Sequence, residues 1–146
     1  TMWVRINESN PWSSILYFKH ETGFVSLVPN AWEGHATFRI RDSKDVNGWH
    51  DAAGCQFYEN LWIHTAIIYN AREENAIFMV NGEILATKDN VPTQRFVKRI
   101  FLGGDVFQRS LKMDICELQF YNDVKAPTEI KEMWEKYVTH PDFIHE

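Results

Sequence analysis

Two acids stand out first. Asp114 and Glu117 lie three apart in "KMDICELQFYNDVKAPTEIKEMW", residues 112–134. Paired carboxylates cleave glycosidic bonds when they flank the bond, and a retaining pair needs carboxyl groups about 5–5.5 Å apart. The run around them alternates as a strand does. Side chains three apart in a strand point to opposite faces, with Cα atoms about 10 Å apart. Without a bulge, that spacing predicts scaffolding, with one acid bracing a loop or the sheet end and the other facing solvent. No catalytic residue is assigned.

Other reactive groups are scattered. The six histidines make no H-E-x-x-H, there is no C-x-x-C, and G-x-S-x-G and phosphate-binding glycine loops are absent, so no metal or nucleophile site is assigned. Asp51, Asp89 and Asp105 lie in expected loops, so calcium is possible, but no spaced calcium-loop pattern supports it and no cofactor is assigned. Cys55 and Cys116 leave two readings open, a disulfide or two buried thiols.

Loop tryptophans offer different chemistry. A sugar ring stacks its CH face on an exposed aromatic, while Asp, Asn, Arg or His hold its hydroxyls. Trp49, in "NGWHDAAG", has Asn47, His50 and Asp51 beside it, and Trp32, in "NAWEG", is a second stacking candidate. These five residues form the expected ligand-binding set. Trp12, in "NPWSS", is a weaker third platform. Trp3, Trp62 and Trp134 read as core, and His64 as a half-buried structural imidazole.

The elements that would position them are mostly strands. "WVRI" (3–6), "SILYF" (14–18), "FVSLV" (24–28), "ATFRIR" (36–41) and "WIHTAIIY" (62–69) alternate with period two. In "AIFMVNGEILAT" (76–87), Asn81-Gly82 separates two apolar runs and predicts a type I′ hairpin. "KRIFLGG" (98–104) and "LKMDICELQFY" (111–121) read as two more strands. The stretch 41–54, rich in Asp, Asn and Gly, reads as loop. In "PTEIKEMWEKYV" (127–138), Ile130, Met133, Trp134 and Tyr137 make an apolar helical stripe, with Thr128 as the cap. The expected fold is all-β: a two-sheet antiparallel jelly-roll sandwich, with the short C-terminal helix sealing an open edge or end.

The 146 residues fit one domain, 1–146, and the opening "TMWVRI" reads as the middle of a strand, so the chain is expected to be a fragment of a larger protein. Those residues do not read as a signal peptide. A net charge of −5 argues against nucleic acid and other polyanions. No apolar run is long enough for membrane insertion.

The motif order resembles the laminin-G-like, concanavalin A-like jelly-roll family. "LWIHTAIIYN" resembles its tryptophan-led strand, "AIFMVNGEILAT" its Asn-Gly hairpin, "RIFLGG" its strand ending in Leu-Gly, and "MDICELQFYNDVKAPTEIKEMW" its Asp-Glu-Tyr strand and short helix. These cover 61–138, and "TMWVRINESNPWSSILYF" resembles the early strand pair. The E-x-D-x-x-E of the family's glucanases is missing. The resemblance implies a non-catalytic, lectin-like, carbohydrate-binding module of a larger extracellular or cell-surface protein, its partners being a glycan or cell-surface protein and the other domains of its parent chain. A structural or adhesion domain is the alternative. A glycoside hydrolase with an unrecognised acid pair is a further one.

Overall fold

The structure is a computed structural model that describes residues 1–44, 49–92 and 97–142. Two five-stranded antiparallel sheets pack face to face. Sheet A runs β10-β1-β6-β7-β8, from β1 (Met2–Glu8), β6 (Trp62–Asn70), β7 (Asn75–Val80), β8 (Glu83–Asp89) and β10 (Lys112–Cys116). Sheet B runs β5-β4-β3-β2-β9, from β2 (Leu16–Lys19), β3 (Gly23–Val28), β4 (His35–Asp42), β5 (Trp49–Gln56) and β9 (Arg99–Leu102).

Alternation decides what each strand buries. Val4 and Ile6 of sheet A meet Leu16, Val25, Leu27, Phe38 and Ile40 of sheet B in the main core, together with Phe78. The hairpin forms as expected. Asn81 (φ 48°) and Gly82 (φ 78°) both take the left-handed conformation a type I′ turn requires.

Three expectations change. First, residues 49–56 are a strand, β5, paired with β4 from Arg41↔Trp49 to His35↔Gln56. Ala52, Ala53 and Gly54 have weak strand propensity, so pairing and tertiary fit dominate. Gly54 is required by contact, since a Cβ there would lie 2.9 Å from Phe78 Cε1. Second, β10 stops at Cys116, because Glu117 turns left-handed (φ 51°). Third, helix α1 (Pro127–Val138) lies on the outer face of sheet A rather than at an edge or end. Ile130, 1% exposed, and Met133 pack on Ala66, Ile68 and Met79. Thr128 does not cap it: Ala126 holds the cap position, and its N–H donates to the Glu129 carboxylate at 2.7 Å. No helix of the described residues is long and apolar enough to cross a membrane.

Both cysteines are free thiols. Cys55 packs against the main core, whereas Cys116 is exposed.

Candidate functional site

The face of sheet B turned away from the core carries the candidate site. Register puts Tyr17, Ser26, Arg39 and Asp51 in one row across β2, β3, β4 and β5, with Phe101 of β9 at its end. Cross-strand partners share a face, and the core takes the alternate residues Leu16, Val25, Phe38 and Ile40.

Two loops fold over part of this row. Ser14 Oγ donates to Asp105 at 2.7 Å, and the other Asp105 oxygen accepts the N–H groups of Phe107 (2.7 Å) and Gln108 (2.9 Å). Asp105 thus pins the loop beside Tyr17. Burial and the Asp105 charge push the Tyr17 hydroxyl up to about 12. Phe24 stacks on Tyr17 at 4.9 Å, and Phe101 and Phe107 meet it edge-on.

On the β4–β5 side the aromatic surface remains open. Trp32 begins a single 3-10 turn and is 58% exposed. It meets Trp12 edge-to-face at 4.7 Å. The Arg39 guanidinium lies 5.0 Å from the Trp12 ring centre, and its Nε donates to the Asp51 carboxylate at 3.1 and 3.2 Å. Trp32, Trp12, Arg39 and Asp51 therefore form one continuous array. Trp12 enters it through a left-handed backbone (φ 65°), held by its N–H donating to Asn30 O at 2.8 Å. A bulky residue in that conformation is uncommon, and such strain concentrates at functional sites. Chemically the array offers a stacking face beside a charged donor–acceptor pair.

The expected residues fall into distinct places. Trp32 and Asp51 belong to the array. His50 was expected in a loop with polar reach, but β5 turns it inward opposite Ile40, at 5% exposure. Trp49 opens β5 opposite Arg41. Asn47 lies outside the described residues. Trp12, the weaker sequence candidate, is central, and Arg39 was missed. Its signal was present: in "ATFRIR" the arginines alternate with core residues, which exposes them on one face.

The acids are engaged elsewhere. Asp114 faces β1, accepting from Asn7 Nδ2 at 3.0 Å and Arg5 Nη2 at 2.7 Å, which hold its carboxyl below the usual range. Glu117 accepts the Tyr137 hydroxyl of α1 at 3.1 Å, and burial together with that bond pushes Tyr137 up to about 12. Each acid braces a neighbouring element. Of the tryptophans read as core, Trp3 is buried, while Trp62 and Trp134 are half-buried. Among the described residues no cluster of three His, Cys, Asp or Glu side chains is placed to hold a metal ion.

A family model described as the concanavalin A-like lectin/glucanases superfamily matches residues 1–131. The chain belongs to this superfamily. Its sandwich is similar to solved structures of the same architecture. Domain 4 of AbnA, a GH43 extracellular arabinanase from Geobacillus stearothermophilus, solved in complex with arabinotriose, superposes with a TM-score of 0.71 at 19% identity. That match covers 90% of this chain and 63% of that one. The heptameric SAP-like pentraxin from Limulus polyphemus gives 0.61 at 12% identity, covering 99% and 70%. A search of curated proteins found no significant match. Superfamily membership fixes the architecture and leaves the ligand to be argued from the site, because this scaffold serves both lectins and glucanases.

Proposed function

We propose that this domain is a non-catalytic carbohydrate-binding module of a larger extracellular or cell-surface protein. The observation that carries the proposal is the Trp32–Trp12–Arg39–Asp51 array. The exposed Trp32 ring supplies a stacking face, and the partly buried Arg39–Asp51 pair supplies fixed donors and acceptors for hydroxyls. The fold likeness to a domain solved with arabinotriose supports the same reading. Trp49, across from Arg41, is proposed as a further ligand residue, with Asn47 just before it. His50 is assigned an inward, supporting role.

A non-catalytic reading agrees with the acids. Asp114 is bound by Arg5 and Asn7, and Glu117 by Tyr137. An acid held below its usual pKa range is poorly suited to donate a proton. A protein-interaction role remains the second reading, because Phe107 beside Tyr17 is 72% exposed.

The test is a broad glycan array on the purified chain, with and without a calcium chelator, repeated with Trp32→Ala and Trp49→Ala. Selective binding lost in Trp32→Ala supports the module. Binding to nothing on the array, or binding indifferent to both variants, moves the assignment to protein interaction.

A further inference from the structure

We infer that the saccharide bound on sheet B is anionic, carrying carboxylate or sulfate groups along its chain. The inference rests on the carbohydrate reading above and adds the charge class of the ligand.

Beside the row that holds Arg39 and Asp51 runs a second outward-facing row. Register aligns Arg99 of β9, Lys19 of β2, Phe24 of β3 and Arg41 of β4. Four strands make three steps of about 4.8 Å, so the row is about 14 Å long, enough for two or three sugar rings. Among the outward-facing residues of sheet B, Lys19, Arg39, Arg41 and Arg99 are cationic and Asp51 alone is a carboxylate. Asp51 is committed to Arg39. The nearby Asp105 is committed to Ser14 and its own loop. The β2–β9 edge of this face, with Lys19 and Arg99, is therefore cationic on a chain whose net charge is −5. That total masks the segregation, which is why composition argued against anionic partners.

One pair in the row runs against sheet stability. Lys19 and Arg99 stand directly opposite each other, both exposed, and neither has a carboxylate partner among the described residues. Like charges directly opposite destabilise a strand pair. An anionic group between them removes the repulsion and forms charge-assisted hydrogen bonds to both. Phe24, half-buried between Lys19 and Arg41, gives an apolar surface for a ring in the same lane. A short anionic oligosaccharide has charge spaced along a ring backbone, which matches this alternation of cation and aromatic.

The experiment titrates the chain with a galacturonic-acid tetramer and with its fully methyl-esterified, neutral form. A sulfated oligosaccharide and its desulfated form make the second arm, separating carboxylate from sulfate as the source of charge. The anionic form is expected to bind at least about tenfold tighter than its neutral twin at about 0.05 M salt, with the advantage fading at about 0.5 M. The double variant Lys19→Gln/Arg99→Gln is expected to lose that preference, retain neutral-ligand affinity, and melt no lower than the parent. Equal affinity for charged and neutral twins, with the neutral forms still lost in Trp32→Ala, overturns the charge assignment alone. A charge preference that survives in the double variant overturns the assigned row. Failure of all four saccharides to bind, with a Trp32-dependent ligand still found on the glycan array, overturns this inference alone; failure of all four together with an empty array overturns the carbohydrate reading as well.

Discussion

His64 couples acid to unfolding through a magnitude the structure supplies. It lies on the outer face of β6, 2% exposed, with its ring 5.2 Å from Trp3 and 6.1 Å from Tyr137. Burial pulls its pKa down from 6.5 to about 4, so the folded state holds the imidazole neutral. The unfolded chain takes up a proton near pH 6.5, which the folded chain refuses until about pH 4. The stability contribution is thus full above pH 6.5 and is lost as pH falls toward 4. From about pH 7.5 to about pH 5 the linkage removes about 2 kcal/mol, approaching about 3 kcal/mol at still lower pH. The comparison is urea denaturation of the parent and His64→Leu at both pH values. The variant lacks the titrating group, so its loss on acidification should be smaller by about 2 kcal/mol, whatever its stability at neutral pH. Parallel losses in the two proteins would refute a buried neutral imidazole.

Four further outcomes follow from single contacts. Arg39→Lys removes the Nε–H that both Asp51 oxygens accept and the planar guanidinium over Trp12; it should weaken glycan affinity about tenfold by calorimetry, with a smaller effect on melting. Gly54→Val drives a side chain into Phe78 and should destabilise by about 1–3 kcal/mol in urea. Gly82→Ala meets both a left-handed φ of 78° and Trp134 Cε3 at 2.8 Å, so it should lower the melting temperature by several degrees, about 4 °C per kcal/mol. Asp114→Asn and Glu117→Gln should leave glycan affinity unchanged, measured by the same calorimetry, because both acids lie on sheet A's side of the sandwich.

How much of this was legible depends on how local each signal is. The Asn81-Gly82 turn and the Ile130–Met133–Tyr137 stripe are set within a few residues, and both stood in the sequence as they stand in the structure. β5 was not legible, because "WHDAAGCQ" is held as a strand by pairing with β4 and by the space under Phe78. Reading it as loop gave His50 a polar role that strand register turns inward. The placement of α1 also failed, since the outer apolar patch of Ala66, Ile68 and Met79 is visible only once β6 and β7 are side by side. The candidate array was half visible. Trp32 and Asp51 drew attention by residue type. Their connection through Trp12 and Arg39 joins four separate positions across two loops and two strands, a juxtaposition that no local periodicity encodes.

The most direct test of the account is calorimetric titration of the purified chain with the best ligand from the glycan array, run on the parent, Trp32→Ala and Asp51→Asn. The parent is expected to bind saturably and each variant to lose about tenfold or more, with both variants folded by circular dichroism. Unchanged affinity in both variants would contradict it, and would place the saccharide somewhere other than the outer face of sheet B.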